Sequence, residues 1–195
     1  MCKILNIKSK AKHYKYKHHG EESIKYSNLI KGNWNTTTFW FKKRKYDWTF
    51  YLDVFNNEIV GSDVRDSMHG NGILNHHEAV KSMLNNKIKR GYKDLETIVH
   101  TDQGVIYSSV SFNNIFNSYN VARSMSRAGT PTDNPIIESK NGWIKKEMYI
   151  DFDINNYNTV QEFIDNIIWD NNNYRPSFAL KYKNPVEYRT QLGFK

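Results

Sequence analysis

The alternation of apolar and polar positions changes period several times along the chain. Residues 48–54, WTFYLDV, are aromatic and β-forming and predict a strand. Asn56-Asn57 follows as a turn signal, because asparagine tolerates positive φ. Glu58 to Val64 then predicts the partner strand of a hairpin. From Leu74 to Arg90 the spacing becomes helical, with Leu74, Val80, Met83, Leu84 and Ile88 recurring on one side and Gly91 placed to end the helix. Leu95 to Val99 has the pattern of a short buried strand. Residues 109–119 predict a helix with Phe112, Ile115, Phe116 and Tyr119 on one side, and Val121 to Met125 a further short strand. The segment SRAGTPTDNP is a polar loop rich in breakers. Asn134 and Pro135 suit the cap and first turn of a helix reaching about Met148. Thr159-Val160-Gln161-Glu162 is a capping-box pattern that opens a last helix, with Val160, Phe163, Ile164, Ile167 and Ile168 as its apolar stripe. The order hairpin, helix, strand, helix, strand, helix, helix predicts an α/β domain with a mixed sheet.

At 195 residues the chain is one domain by length. No apolar run approaches a membrane span, and the basic N-terminus lacks the apolar stretch of a secretory signal. The single cysteine excludes an internal disulfide framework and any multi-cysteine zinc site. These features predict an intracellular, cytoplasmic protein. The charge is uneven. Residues 1–50 hold 12 Lys+Arg against 3 Asp+Glu, whereas residues 51–195 hold 16 against 17. The lysines Lys8, Lys10, Lys12, Lys15 and Lys17, interleaved with tyrosines, suit phosphate contact with some base stacking, against the plainer reading of a solvated tail. Asparagine occurs 24 times and lysine is the dominant base, a bias expected of an A/T-rich genome. Asn or Lys alone is therefore weak evidence.

Two carboxylates stand out by position. Asp102 falls where a strand ends and a glycine-containing loop begins, the end of a sheet where α/β sites gather. Glu138 lies in the first turn of a helix behind the breaker-rich loop, where a glutamate also serves as a dipole partner. Asp102 alone could be a turn former beside Gly104. His76-His77 read as helix surface and Trp143 and Trp169 as core.

The words around the two acids carry more. "HTDQGVIYSS" resembles H-[ST]-D-x-G-x-x-Y-[ST]-S. "SMSRAGTPTDNPIIESKNGWIKKEM" resembles S-M-S-R-x-G-x-x-x-D-N-x-x-x-E-S-[FN]-x-x-x-[IL]-K-x-E. "WDNNNYRPSFALKYKNPVEYR" resembles Y-N-x-x-R-P-x-x-x-L-x-x-x-[ST]-P-x-E-[YF]. These three motifs, in this order, are similar to those of the insertion-sequence family three transposases, DDE recombinases with a retroviral-integrase-like catalytic core. The 35 residues between Asp102 and Glu138 are the family's spacing of its last two acids. The likeness runs over about residues 48–190.

The resemblance implies a ribonuclease-H-like mixed sheet flanked by helices over residues 34–190, with residues 1–33 a basic N-terminal arm left from a DNA-binding region. It implies a bacterial, nucleoid-associated transposase acting by metal-dependent DNA cleavage and strand transfer. The cofactor would be Mg²⁺ or Mn²⁺, two ions in the family, with Asp102 and Glu138 as catalytic metal ligands. The partners would be insertion-sequence ends and target DNA, with a homo-oligomer on the DNA and no membrane. Hard oxygen donors suit Mg²⁺, and two ions can stabilise both the attacking and the leaving oxygen. Lys145, seven residues past Glu138 on the same helical face, would meet phosphate. Arg175 in the third motif would order the C-terminal helix end.

Three features depart from the pattern. The family's first acid, on its first strand in W-x-x-D-[IV]-T, has no counterpart. No acid occurs from Ser23 to Tyr46, and Thr36 to Thr38 carry hydroxyls instead. Asp47 is the nearest acid. About four residues are missing between Tyr51-Leu52 and Asp53, and the region ahead of the core is short. These losses predict a truncated or decaying copy. A noncatalytic DNA-binding remnant and a ribonuclease-H-like nuclease remain as alternative readings.

Overall fold

A computed structural model describes residues 34–69, 72–126 and 135–195, with side chains from 36, 73 and 140 onward in the three stretches. The core begins with an antiparallel meander, β1 (Trp34–Phe41), β2 (Arg44–Asp53) and β3 (Glu58–Asp66). The β2–β3 hairpin turns where Asn56-Asn57 predicts it, and Asn57 takes up the positive φ of 61°. Asp53 Oδ1 accepts the Phe55 amide at 2.9 Å and closes the first half of that turn. The register slips between Tyr51 and Leu52, so that Tyr51 faces Gly61 and Leu52 faces Ile59. A bulge here lies at the stretch where the chain is shorter than the family pattern.

Helix α1 (Gly72–Lys89) packs on β2 and β3. It ends as its glycine predicts: Gly91 has φ 83°, its amide reaches Ile88 O at 2.9 Å, and Tyr92 N reaches Lys87 O at 3.0 Å. This is the paired closure that satisfies the last carbonyls of a helix. Strand β4 (Thr97–Thr101) follows, two residues later than its apolar run begins. Leu95 instead closes a turn on Tyr92 O and is exposed. A short helix α2 (Val105–Ser108) comes first, and the predicted helix over 109–119 follows in two pieces, α3 (Val110–Asn114) and a 3₁₀ turn (Ile115–Ser118). Ser109 makes the break, capping α3 by accepting the Phe112 amide. Strand β5 (Val121–Met125) runs parallel to β4. The mixed strand directions are thus divided between an antiparallel three-stranded ladder and a parallel pair.

Helix α4 (Pro135–Ile150) packs against β1, and α5 (Val160–Asn173) against β3. Thr159 caps α5 by accepting the Glu162 amide at 3.1 Å, while Glu162 reaches back to the Asn158 amide at 2.9 Å. The stripe of α5 is buried in the first core, where Phe163 meets Phe41 at 5.4 Å and Tyr157 at 5.2 Å between ring centroids. Asn172 bonds both the amide and the carbonyl of Ile59 at 2.9 Å, fixing the end of α5 to β3. The chain closes with α6 (Pro185–Gln191).

Two ionic knots join distant segments. Glu58 is buried between Arg90 at 2.5 Å and Arg189 at 2.9 Å, tying β3 to the end of α1 and to α6. Arg175 bonds Glu147, Asp151 and Asp170, and its guanidinium lies 4.1 Å from the Trp143 ring centroid. Arg175 thus orders the helix ends around it. Trp169, in contrast, is 58% exposed and is not part of the core.

Candidate active site at the end of strand β4

Strand β4 delivers the main candidate. Its buried residues Val99, His100 and Thr101 are held beside β5, where His100 Nδ1 lies 2.7 Å from the Ser124 hydroxyl. Behind the strand, the buried Arg123 guanidinium donates to Thr101 Oγ1 at 3.1 Å and to Asn113 Oδ1 at 3.3 Å. The strand stops at Thr101 and the next side chain, Asp102, is exposed. Its Oδ1 accepts the Gly104 amide at 2.6 Å, which fixes that oxygen in the turn. A Cβ on residue 104 would sit 2.7 Å from Asp102 Oδ1, so a side chain there would displace the carboxylate from its present position. Burial against the protein mass raises the Asp102 carboxyl above its usual range, and the Gly104 hydrogen bond opposes that rise.

The loop after Asp102 is anchored from below by Tyr107. The Tyr107 hydroxyl lies 2.5 Å from His76 Nδ1 on α1 and shares a hydrogen bond with the Thr36 side chain on β1. Thr36 Oγ1 continues to Thr49 Oγ1 at 2.9 Å. His76 is therefore a buried structural histidine and not helix surface, and burial pushes its pKa down to about 4. Its neighbour His77 stays half-buried beside Phe112.

The three threonines of β1 separate by face. Thr37 alternates with Phe39 and Phe41 and pairs with Trp48, whose side chains fill the core that α4 covers. Thr37 is thus the hydroxyl directed to the side of the sheet that carries α4. It is fully buried, and its Oγ1 has no hydrogen-bond partner among the described residues. Thr36 and Thr38 face the other way. Thr38 Oγ1 donates to Asp47 Oδ1 at 2.6 Å, and Asn75 donates to the Asp47 carbonyl at 2.8 Å. Asp47 is consequently engaged on the face opposite to Thr37 and does not stand in for a missing ligand there.

Glu138 belongs to α4, but its side chain lies outside the described residues. The lysines at 8, 10, 12, 15 and 17 lie outside them as well. Lys145 is exposed on α4. Among the described residues, no three His, Cys, Asp or Glu side chains gather as a metal centre, and no helix is long and apolar enough to cross a membrane.

An integrase core domain family matches residues 32–131, just over half of the sequence, and a second integrase core domain family matches residues 119–185. The chain belongs to the integrase core domain family. Its core is ribonuclease-H-like. Among relatives of this integrase core, it is 27% identical over 161 residues to InsK, a candidate transposase of insertion sequence element IS150 in Escherichia coli. That match covers 80% of this chain and 53% of InsK, so the chain spans about half the length of that relative. A transposase-like protein of Haemophilus influenzae is 29% identical, with 96% of this chain and 88% of the relative covered. The transposase for insertion sequence element IS904 of Lactococcus lactis is 28% identical, with 95% and 76% covered. The integrase fold is shared with a chain of the simian T-cell lymphotropic virus intasome, at TM-score 0.61 and 19% identity over 88% of this chain and 59% of that one. It is shared too with the HTLV-2 integrase catalytic core domain in complex with magnesium, at TM-score 0.54 and 18% identity over 77% and 92%.

Proposed function

We propose that this integrase core is the DNA-engaging core of a bacterial insertion-sequence transposase whose two-ion centre is incomplete. Asp102 and Glu138 are the two family acids that remain, and Lys145 and the basic arm supply phosphate contacts. The partners are duplex DNA, both element ends and target, and further copies of the chain assembled on it. The observation that carries this reading is the contrast at the site. Asp102 is an exposed carboxylate at the end of β4, whereas the β1 position facing α4 is Thr37.

The donor set does not fit two divalent ions. A neutral hydroxyl buried among aromatic side chains brings no anionic charge, and Mg²⁺ sites rely on carboxylates. Asp47, the nearest acid on β2, is spent on Thr38. Asp102 with Glu138 amounts to the ligands of one ion, and one ion does not stabilise the attacking and the leaving oxygen together.

The test is Mn²⁺ titration by calorimetry together with cleavage of labelled duplex DNA, using the full chain, Asp102→Asn, Glu138→Gln and Thr37→Asp. The expected result is duplex binding by all four proteins, with cleavage by the unaltered chain no greater than by Asp102→Asn. Thr37→Asp should bind Mn²⁺ at least tenfold more tightly than the unaltered chain. Cleavage by the unaltered chain that both Asp102→Asn and Glu138→Gln abolish would overturn the incomplete-centre reading. Failure of every protein to bind DNA would overturn the DNA reading itself.

A further inference from the structure

The tip of the β1–β2 hairpin carries Lys42, Lys43, Arg44 and Lys45 in succession, all exposed. Lys42 has φ 52°, the left-handed conformation that a tight hairpin loop ordinarily gives to glycine or asparagine. The Lys42 ammonium lies 5.4 Å from the Phe41 ring centroid, an exposed cation–π contact that leaves its charge unneutralised. None of the four forms an ion pair among the described residues. The neighbouring acid, Asp47, is taken by Thr38.

The rest of the core treats its arginines differently. Arg65 pairs with Asp63, Arg90 and Arg189 with Glu58, and Arg175 with three carboxylates, while Arg123 is hydrogen-bonded in the interior. Among the described arginines, Arg44 is the one whose side chain has no hydrogen bond or ion pair. Residues 51–195 are close to neutral, with 16 Lys+Arg against 17 Asp+Glu, so the cationic surplus of the described core sits on this tip.

An aromatic ring lies beside it. Trp40 pairs with Lys45 across the hairpin, so the two side chains share a face, and Trp40 is 56% exposed. Its backbone is clamped by Tyr149 of α4, whose hydroxyl accepts the Trp40 amide at 2.9 Å and donates to the Trp40 carbonyl at 3.2 Å. The tip is thereby fixed to the far end of the helix that begins beside Glu138. From residue 138 to residue 149 that helix rises about 16 Å, at about 1.5 Å per residue, and it exposes Lys145 and Lys146 along the way.

We propose that the hairpin tip Lys42–Lys45, with Trp40 beside it, is a nucleic-acid contact that grips the phosphate backbone of duplex DNA, separate from the basic arm. The proposal deepens the DNA reading above and rests on it. The four cations neutralise phosphates and release counterions, and Trp40 lies against sugar or base.

The test is fluorescence anisotropy of a 30-base-pair duplex with the full chain and with the combined variant Lys42→Asn, Lys43→Gln, Arg44→Gln and Lys45→Gln, over roughly 50 to 250 mM salt. Asparagine at 42 keeps the positive φ, and an unchanged thermal midpoint verifies the fold. Loss of up to four phosphate contacts should make the slope of log K against log salt shallower by about 2 to 4, and weaken binding at least about tenfold at 100 mM salt. Arg44→Gln alone should reduce the slope by about 1. Trp40→Ala should weaken binding at an unchanged slope, and no change would overturn the part given to Trp40. An unaltered chain that binds DNA, with both charge variants matching its affinity and slope, would overturn the proposal while leaving the DNA reading intact. An unaltered chain that does not bind would overturn both.

Discussion

On one face of β1, Thr37, Phe39 and Phe41 turn into a dry aromatic core closed by α4 and α5. On the other, Thr36 and Thr38 join hydroxyls, a phenol, an imidazole and a carboxylate into a hydrogen-bonded layer. The same residue type thus occupies two opposite environments one position apart. Thr36 and Thr38 both have hydrogen-bonded hydroxyls, whereas the Thr37 hydroxyl on the dry face is buried with no hydrogen-bond partner among the described residues. A carboxylate at 37 would be costly in that core unless a cation compensated it, and a threonine there loses only one hydrogen bond. Under the proposed reading, a threonine in place of the acid costs the fold little, so an incomplete metal site is compatible with an intact scaffold.

Breaking the dry face should have the largest effect. Phe163 is fully buried against Phe39, Phe41, Phe152 and Tyr157, so Phe163→Ala should lower stability by about 3–5 kcal/mol, read from denaturant unfolding.

The polar face should break next, and in a pH-dependent way. Tyr107→Phe removes the hydroxyl shared by Thr36 and His76, and should cost about 1–3 kcal/mol at neutral pH. His76 itself is held neutral, its pKa pushed from the ordinary 6.5 down to about 4 by burial. A depressed histidine contributes stability that is complete above its unfolded pKa and is lost as pH falls toward the folded value. Between pH 6.5 and 4 the unfolding free energy from denaturant titration should therefore fall, by at most on the order of 3 kcal/mol. His76→Gln should flatten that segment of the profile. An identical acid response in the variant would mean that His76 is not the titrating group.

The smallest effect sharpens the comparison most. Thr37→Val removes a buried hydroxyl that has no partner and should stabilise the chain by about 1 kcal/mol, while Thr36→Val removes a bonded one and should destabilise it by a similar amount. Equal signs for the two would erase the distinction between the faces.

Much of this was legible in the chain because the signals were local. Gly91 ends α1, Thr159 and Glu162 open α5, and Asn57 turns the hairpin, each through groups within a few residues of one another. The position of Asp102 followed in the same way from a strand running into Gly104. What stayed illegible depended on distance. His76 resembles surface until Tyr107 closes on it from 31 residues away. Trp169 lies in an apolar helix but beside its buried stripe, so periodicity does not assign it to solvent. Three consecutive threonines carry no alternation of polarity, so only the register with Trp48 and Thr49 shows that residue 37 faces α4. Asp47 is the nearest acid along the chain, and its engagement by Thr38 is illegible there because the bond forms across two strands.

The double bond from Asn172 to Ile59 has a consequence for association. Strand β3 is the outer strand of its ladder, and such a strand exposes amides and carbonyls on which another chain can add. By taking both the amide and the carbonyl of Ile59, one asparagine side chain imitates the neighbour that an incoming strand would supply. Two copies of this protein are thereby denied one route to edge-to-edge stacking through β3.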